Sequence, residues 1–374
     1  MVAAVIRGRR RDRWVYLRSH PVLFGLVALT RGRPVRRLGG TLLVHGAEPY
    51  RQVLTRLPLD RRAAGTTGAA ARAYGGGELL FDQQGEAHRA ARRQVAAELG
   101  GAGVARLAPV WRAVLVRRLA PLAGGGPVEL VDLAAELSGA TMHALLGLPA
   151  TVDSRELAGT ARAAAAASAR ELLPGPGRAA ARTAAAQAAA DRLLELLPGP
   201  DRSRAAMVAL AGVVTTVAGL PRAVAWCADD RLWPAAACPD RRPGLVGELL
   251  RVTAPTPLVP RVAAADGTVA GRPVRAGQRL VLLARDAVGA HRHDPDPADP
   301  APAQLAQLVF GAGPHACPGA QLARAQLADT LAALAPYRPV VTAARADRRA
   351  ALPGWARLVV RAGPGAQRGR VRWD

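Results

Sequence analysis

One cysteine lies in a loop whose residues suit a metal-binding thiolate. Residues 310–319 read Phe-Gly-Ala-Gly-Pro-His-Ala-Cys-Pro-Gly, and a helical pattern begins directly after them. A thiolate at the N-terminus of a helix is stabilised by the exposed backbone N–H groups and by the helix dipole. Gly311, Gly313 and Gly319 let the loop turn tightly and bring backbone amides close to the sulfur. A single axial thiolate can hold haem iron, so the loop predicts haem binding through Cys317.

The other two cysteines differ from Cys317 in their surroundings. Cys227 lies in an apolar helical pattern, and Cys238 precedes a proline without a frame of glycines. Both patterns are typical of structural cysteines, which is also the plain alternative for Cys317. A zinc site formed by His315 and Cys317 is a second alternative, although no Cys-x-x-Cys pair is present. Three cysteines are too few for a disulfide framework, which predicts a reducing compartment.

The loop around Cys317 resembles the cysteine-ligand signature of the cytochrome P-450 superfamily, Phe-Gly-x-Gly-x-His-x-Cys-x-Gly, at every fixed position. Agreement at all of these positions by chance is improbable. The resemblance extends over roughly residues 20 to 360. It implies haem b (iron protoporphyrin IX) as the cofactor and Cys317 as the metal ligand. The other loop residues that it assigns to the cofactor are Phe310, Gly311, His315 and Gly319.

The same resemblance implies a fold that is mainly α with small β-sheets, in the single triangular shape of haem-thiolate proteins. Residues 20–374 are expected to form one catalytic domain, preceded by a basic N-terminal extension at residues 1–19. No Pro/Gly-rich linker divides the chain, and 50% of its residues are hydrophobic. That apolar content suffices for one large core.

A charged pair is expected to support the cysteine loop. Glu248 and Arg251 are three residues apart, so their side chains share one helix face, and the sequence resembles the family's Glu-x-x-Arg pair. The irregular stretch 286–303 lacks the arginine that would complete a triad with this pair. Pro302 lies about where that arginine is usually found, and Arg292 is a possible substitute in the wrong register.

Four cationic residues resemble the family's ligands of the haem propionates. His88 and Arg92 follow its His-x-x-x-Arg pattern and lie four residues apart on one helix face. Arg261, in the segment Val-Pro-Arg-Val, and His315 in the cysteine loop complete the set. Arginine suits carboxylates because its donors form a planar fork. The alternative for each residue is an ordinary surface cation.

Residues 211–216, Ala-Gly-Val-Val-Thr-Thr, resemble the family's oxygen-activation helix. The resemblance assigns catalytic roles to Gly212, Thr215 and Thr216, with the Thr215 hydroxyl helping to deliver protons to iron-bound oxygen. A threonine simply packed in an apolar helix is the alternative. Val214 stands where the family usually has an acid, and valine cannot relay protons. This departure leaves room for one-electron reactions such as phenol or indole coupling.

Hydrophobic periodicity predicts the elements that position these residues. Residues 34–44 predict a β-hairpin, and short strands are expected within 255–284 and in a terminal region that includes 358–360. A Gly/Ala-rich mobile loop is expected at 62–78. The predicted helices cover residues 48–54, 86–99, 104–121, 127–147, 154–197 with a break at Pro174, 203–229 with an interruption at Pro221, 243–253 and 320–334. The short connection 197–206 replaces what is usually a further helix and loop.

The chain is strongly basic, with a formal net charge of +23 and no lysine. A GC-rich genome that favours arginine codons is one explanation. A basic surface that attracts acidic partners is another, and the two are compatible. The arginines are scattered without an aromatic-interleaved basic module, which argues against nucleic acid as a partner. The apolar run 22–29 is too short to span a bilayer, so we expect a cytoplasmic protein without a membrane partner.

These observations predict a haem-thiolate monooxygenase or oxidase of secondary metabolism, such as antibiotic biosynthesis. Its substrate is expected to be a small organic or peptide-derived molecule, free or carrier-bound, and its electrons to come from a ferredoxin and a ferredoxin reductase. The alternatives are a degenerate homologue that activates another enzyme, an oxidative ring-coupling enzyme, and a peroxide-driven enzyme. The segments expected to line the substrate pocket are 62–82, 155–190, 207–216, 255–261 and 352–358, where Trp355 reaches either the pocket or the core.

Overall fold

Helices form most of the computed structural model, which describes residues 6–69, 72, 80, 82–83, 85–172, 179–367 and 373. Their bounds are α1 Ile6–Ser19, α2 Pro21–Thr30, α3 Ala47–Thr55, α4 Gly85–Leu99, α5 Gly101–Ala123, α6 Leu130–Leu145, α7 Ser154–Leu172, α8 Ala179–Glu195, α9 Arg202–Asp229, α10 Trp233–Ala237, α11 Arg242–Thr253, α12 Ala284–Ala287, α13 Ala303–Ala306 and α14 Ala320–Leu334. Short 3₁₀ helices cover Gln307–Phe310, Gly313–His315 and Ala335–Tyr337.

The strands form small sheets that are mostly antiparallel. They are β1 Val35–Leu38, β2 Thr41–Val44, β3 Leu59–Asp60, β4 Val128–Glu129, β5 Val259–Ala263, β6 Gly267–Val269, β7 Arg272–Val274, β8 Arg279–Leu282, β9 Val340–Ala346 and β10 Trp355–Arg361. One sheet has the order β1-β2-β8-β5-β3, a second β4-β10-β9, and a third pairs β6 with β7. The predicted hairpin at 34–44 is β1 and β2, which are antiparallel with Leu38 opposite Thr41.

The core divides into a helical part and a sheet part. The larger cluster of buried side chains joins α5, α6, α9, α11 and α14, and includes the fully buried Trp111 and Trp226. A smaller cluster lies under the first sheet around Tyr50 and Leu280. The pairing of β2 with β8 is parallel, so β2 joins residues near the start of the chain to the segment that leads to the cysteine loop.

Several predicted boundaries shift for identifiable reasons. The helix expected at 127–147 begins at Leu130, because Val128 and Glu129 pair with β10. The Glu129 carboxylate then accepts the backbone N–H groups of Val131 and Asp132, which caps α6. The interruption expected at Pro221 was wrong, since α9 runs through it. The mobile loop expected at 62–78 lies partly outside the described residues, as does the break at Pro174.

The N-terminal basic stretch and the apolar run after it form the helices α1 and α2. α1 packs against α9, and its Gly8 lies so close to Trp226 that a Cβ added to this glycine would stand 2.5 Å from the indole ring. The Gly8 N–H donates to the Asp230 carboxylate at 3.1 Å. The division of the chain into an extension at 1–19 and a single domain at 20–374 stays a prediction.

Within the described part of the chain, α9 is long and apolar enough by length and composition to cross a membrane. The bent pair His88–Leu99 and Gly101–Ala123, with 50° between its halves, also qualifies if it is counted as one span. The apolar window of α9 is 61% buried inside the protein. Burial of this kind is typical of the central helix of a globular core.

Candidate active site

Glycine conformations give the cysteine loop its shape. Gly311 and Gly313 have φ of +79° and +71°, which other residues rarely adopt. A Cβ on Gly313 would also stand 2.9 Å from the Leu54 carbonyl oxygen of α3. The Cys317 N–H donates to the Phe310 carbonyl at 2.7 Å and closes the loop. α14 begins three residues after Cys317, so the predicted placement of a thiol before a helix N-terminus is what the structure contains.

Opposing influences act on the Cys317 thiol. The side chain is exposed by its accessible area, yet protein atoms surround it closely on its other sides. This burial raises the pKa of the Cys317 thiol, while a hydrogen bond from the Gly319 backbone and the charges of Arg92 and Arg324 act to lower it. The Arg324 guanidinium also lies 4.7 Å from the centroid of the Phe310 ring. The accessible sulfur can therefore serve as a ligand, and the two arginines favour its anionic form.

Two of the predicted propionate ligands are stacked on each other. The imidazole rings of His88 and His315 lie 3.8 Å apart between centroids, with an interplanar angle of 30°. Burial lowers the pKa of His88, with Arg61 and Arg92 contributing. Burial also lowers the pKa of His315 to about 3, with Arg61 as the largest charge effect. Both imidazoles are therefore neutral at pH 7, and each offers one N–H donor.

The arginines around these histidines form a cluster of like charge. Arg92 donates to the Ala316 carbonyl at 2.5 Å, and Arg261 donates to the Pro260 carbonyl at 2.8 Å. Burial, with a smaller contribution from the charge of neighbouring Arg261, lowers the pKa of Arg61 to about 9. Arg61 is only 8% exposed. Among the described residues, no carboxylate forms an ion pair with any of these three guanidinium groups.

This cationic cluster fits a group that carries carboxylates. The Nε of Arg261 is buried and donates to no protein atom of the described chain. Burial lowers the pKa of Arg261 as well, since its charge lacks a nearby anion. Two propionates would supply the missing anions and acceptors together. The donor set thus suits haem, with His88, Arg92, Arg261 and His315 placed together as the sequence predicts.

Arg61 is a member of the cluster that the sequence analysis missed. It directly follows β3. Its charge lowers the pKa of both His88 and His315, and Arg261 in turn lowers the pKa of Arg61. No strand was predicted at this position, so no sequence pattern pointed to Arg61. With 51 basic residues, all arginine, in the chain, residue type alone could not single it out.

The predicted support pair is fully buried. Arg251 donates to both carboxylate oxygens of Glu248, at 2.8 Å from Nε and 2.5 Å from Nη2, and each side chain is 2% exposed. The remaining acceptor positions of Glu248 receive the backbone N–H of Asp296 at 3.2 Å and that of Ala301 at 3.0 Å. Backbone amides thus occupy the positions for which the sequence analysis expected a third charged side chain.

Arg292 does not substitute for the missing arginine. Its Nε hydrogen bonds to His291 at 3.0 Å, and the residue is exposed. Pro302 is also exposed, at the start of α13. The suggested substitution by Arg292 was therefore wrong, because Glu248 is bound by Arg251 and by the amides of Asp296 and Ala301, and not by Arg292, in the described structure. The sequence analysis missed the two amides, since no side-chain pattern marks a backbone donor.

The predicted oxygen-activation segment lies in the middle of α9 and is half-buried. The Thr215 hydroxyl donates to the Ala211 carbonyl of its own helix at 2.7 Å. A Cβ on Gly212 would stand 2.5 Å from the Met142 sulfur, so Gly212 permits α9 to approach α6. Val214 and Thr216 are half-buried as well. The catalytic roles of Gly212, Thr215 and Thr216 stay predictions.

Part of the predicted substrate-lining set can be placed. Trp355 is 2% exposed and belongs to the helical core cluster, so its core role applies. Much of segment 62–82 and residues 173–178 of segment 155–190 lie outside the described residues. No group of three His, Cys, Asp or Glu within the described ranges is arranged to hold a metal ion, which disfavours the zinc alternative for His315 and Cys317.

A cavity of about 910 Å³ lies beside the support pair, with Glu248 and Arg251 in its lining and no residue of the cysteine loop. It is bounded by the loop before β1 and by residues 286–301, and Arg31, Arg33, His45 and His291 line part of its wall. Cationic and acidic side chains are both present in its lining, so its charge does not select one class of ligand.

Comparison with known proteins confirms the predicted resemblance. No family model matches the chain. Over 168 residues it is 34% identical to "Putative cytochrome P450 140" of Mycobacterium tuberculosis, which covers 43% of this chain and 38% of that protein. Over 122 residues it is 40% identical to erythromycin C-12 hydroxylase of Saccharopolyspora erythraea, covering 31% and 30%. The match therefore spans less than two fifths of the length of these curated relatives.

Solved structures match nearly the whole chain. A mutant of P450 EryK in complex with erythromycin B has a TM-score of 0.70 at 23% identity, covering 95% of this chain and 98% of that chain. CalO2 has a TM-score of 0.71 at 24% identity, covering 94% and 98%. P450BioI in complex with an acyl carrier protein ligated to hexadec-9Z-enoic acid has 0.71 at 20%, covering 92% and 99%. The prediction of a mainly α fold with small β-sheets is confirmed.

Proposed function

Because this chain has the cytochrome P450 fold, we propose that it is a haem-thiolate monooxygenase or oxidase in which the Cys317 thiolate would hold the iron of haem b. The observation that carries the proposal is the accessible Cys317 sulfur in its glycine-framed loop, together with the uncompensated cations around His88 and His315. Bound at this site, the haem iron with its thiolate ligand supplies the activation of molecular oxygen.

Each residue of the proposed site would have a separate role. Cys317 supplies the thiolate, while Arg61, Arg92 and Arg261 supply positive charge to the propionates, and the neutral His88 and His315 supply N–H donors. Glu248 and Arg251 hold the segment that precedes the cysteine loop. The Thr215 hydroxyl holds a proton at Oγ1, which it presents to the Ala211 carbonyl until a ligand offers a better acceptor.

The substrate and partners of the proposed enzyme follow from its relatives and its charge. One relative is an erythromycin hydroxylase, and one structural neighbour was solved on an acyl carrier protein. These names support a substrate of secondary metabolism, either free or carrier-bound. Ferredoxins and carrier proteins are usually acidic, so the net charge of +23 suits either as a partner. We also propose that the protein is cytoplasmic, on the basis of its structural neighbours.

Oxidative ring coupling is a second candidate, favoured by the residue at position 214. Val214 is half-buried in the segment that holds Thr215 and offers no proton. A coupling reaction requires less proton delivery than a hydroxylation. Val214→Asp is expected to change the share of reducing equivalents lost as peroxide during turnover. Identical losses in both forms would remove Val214 from the argument for coupling.

The carbon monoxide difference spectrum of the reduced protein tests the proposed function. Wild type is expected to show the thiolate-type Soret band, and Cys317→Ala is expected to abolish it. Cys238→Ala is the matched control, because Cys238 is a free, partly exposed cysteine away from the glycine loop. Its band should equal that of wild type.

Two outcomes would overturn the proposal. Absence of the thiolate band in haem-loaded wild type would exclude haem-thiolate chemistry and favour a degenerate homologue. Persistence of the band in Cys317→Ala would exclude Cys317 as the ligand. Turnover driven by ferredoxin compared with turnover driven by peroxide then separates the monooxygenase from the peroxide-driven enzyme.

A further inference from the structure

We infer that Arg9, in the first helix of the chain, is a positioning residue for the cysteine loop. It acts by holding the segment of residues 292–301, called the meander below, together with Glu248 and Arg251. The inference rests on the proposed haem-thiolate function, but its central measurement does not require catalysis. It assigns a role to a part of the chain that the sequence analysis treated as an extension.

The first observation is the pair of contacts that Arg9 makes. Its Nε donates to the Asp294 carboxylate at 2.6 Å, and its Nη2 donates to the Arg292 carbonyl at 2.8 Å. Both side chains of the ion pair are 23% exposed. One guanidinium therefore binds a side chain and a backbone carbonyl of the meander at once, which fixes direction as well as distance.

The second observation is that Arg251 binds the adjacent carbonyls of the same segment. Its Nη2 donates to the His293 carbonyl at 3.3 Å and to the Asp294 carbonyl at 3.0 Å. Three consecutive carbonyls, from Arg292 to Asp294, are thus bound by two guanidinium groups from separate elements. Glu248 accepts the amides of Asp296 and Ala301 farther along. Arg9 thus adds a second guanidinium, beside that of Arg251, to the contacts that hold the meander.

The third observation is that α1 is fixed immediately beside Arg9. Gly8 packs against Trp226 and donates its N–H to Asp230, and Arg11 binds the Asp229 carboxylate at 2.5 and 3.0 Å. The neighbours of Arg9 on both sides are therefore attached to the end of α9. Because the helix around Arg9 is held in place by these contacts, the Arg9 side chain can limit the movement of the meander.

A continuous path links the meander to the sulfur. Ala301 precedes α13, which leads through the 3₁₀ helix Gln307–Phe310 to the Phe310 carbonyl. That carbonyl accepts the N–H of Cys317 at 2.7 Å. Displacement of the meander would shift the start of α13 and then the acceptor of this hydrogen bond. Loss of Arg9 should therefore loosen the ligand loop without removing any side chain from it.

Amide hydrogen exchange measures this effect directly. Arg9→Ala is expected to accelerate exchange across residues 292–301 and at Cys317 by about threefold or more, because a charge-assisted contact is lost. Arg10→Ala is the matched control, since Arg10 is exposed on the same helix and forms no ion pair in the described structure. Arg9→Lys should give an intermediate rate, because an ammonium group keeps the charge and loses the fork.

The haem-loaded protein provides an independent spectroscopic measurement. Arg9→Ala should convert a larger share of the reduced carbon monoxide complex to the thiol-ligated form, whereas Arg10→Ala should resemble wild type. A residue that only stabilises the fold would lower the unfolding midpoint without this change of ligand state. If wild type lacks the thiolate band, the proposed function fails while the exchange measurement still tests the contact.

A second variant separates a local effect from loosening of the whole helix. Asp294→Ala removes the same contact from the meander side, and Asp299→Ala is its exposed control. We expect Asp294→Ala to accelerate exchange of the meander while α1 keeps its rates. The double variant with Arg9→Ala should exchange no faster than Arg9→Ala alone, because Arg9 makes both contacts with the meander. Equal exchange in Arg9→Ala and Arg10→Ala, or acceleration spread evenly over the molecule in Asp294→Ala, would overturn the inference.

Discussion

The Asp12 carboxylate of α1 accepts two hydrogen bonds from Arg222 in the interior of α9, at 2.8 Å from Nε and 2.6 Å from Nη2. Arg222 is completely buried, and Asp12 is 3% exposed. A second buried guanidinium, from Arg285, donates to the other oxygen of Asp12 at 3.1 Å. One carboxylate therefore pairs with two buried cations that come from distant parts of the chain.

Asp12→Asn is expected to lower the free energy of unfolding by about 3–5 kcal/mol, the usual cost of leaving a buried charge without its partner. The substitution keeps the size of the side chain and removes the negative charge from both arginines. Glu48→Gln breaks the exposed ion pair with Arg51 and should cost less than about 1 kcal/mol. Denaturant unfolding of both variants measures the difference, and equal losses would show that Asp12 does not neutralise Arg222.

Gly313→Ala is expected to destabilise the protein by at least about 1–2 kcal/mol, because the residue has a positive φ that alanine avoids. The added Cβ would also press on the Leu54 carbonyl oxygen at 2.9 Å. Gly159→Ala is the control, since Gly159 lies in α7 with no atom near its missing Cβ. It should stabilise the protein by about 0.5–1 kcal/mol. Thermal unfolding of the two variants should therefore shift in opposite directions.

Arg61→Ala is expected to speed the loss of haem to a competing acceptor protein by about tenfold, which is the value of one charge-assisted hydrogen bond. The expectation follows from the position of Arg61 beside His88, His315 and Arg261. Arg56→Ala removes an exposed arginine nearby and should leave the rate unchanged. A rate of loss for Arg61→Ala equal to that of Arg56→Ala would exclude Arg61 from the propionate site.

The pH dependence of stability should include a contribution from His291. Burial lowers its pKa to about 4 in the folded protein, although Asp286 acts to raise it. The unfolded chain has a histidine pKa of about 6.5 and takes up the proton first, so stability is complete above that value and declines as the pH falls toward about 4. The decline amounts to roughly 2–3 kcal/mol, since each pKa unit corresponds to about 1.4 kcal/mol.

His291→Gln tests this assignment, because glutamine does not titrate. Between about pH 7 and pH 4, the free energy of unfolding of wild type should fall by roughly 2–3 kcal/mol relative to that of the variant. Burial also raises the pKa of Asp230 to about 6, so this group contributes to the pH dependence as well. Subtracting the unfolding free energies of the two proteins removes such shared contributions. Parallel curves for the two proteins would exclude His291 as a source of the acid sensitivity.

Side-chain patterns allowed the sequence to predict the centre of the site. Few residue types are possible in the cysteine loop. Positive φ angles and the close approach to α3 require glycine, and the proposed thiolate ligand requires cysteine. Glu248 and Arg251 were predicted from their resemblance to the family's Glu-x-x-Arg pair, and His88 and Arg92 from its His-x-x-x-Arg pattern. In each case the spacing places two side chains on one helix face.

The supports around that centre were not predictable, for physical reasons. The amides of Asp296 and Ala301 bind Glu248 through the backbone, which every residue possesses. Arg61 and Arg9 belong to a chain with 51 basic residues, where residue type has little power to distinguish one position from another. Their roles depend on folding that brings them to partners far away in the sequence.

The contact between Arg9 and Asp294 joins residues that are 285 positions apart. During synthesis, α1 therefore leaves the ribosome long before the segment that it holds exists. Pairings of such separation form late, after the entropy of closing a long loop has been overcome. The cysteine loop follows the meander in the sequence. The contact between Arg9 and the meander and the thiol of Cys317 therefore become available in the same final stage of translation. If Cys317 holds haem as proposed, the ability to bind it would therefore be acquired only when this last part of the chain has folded.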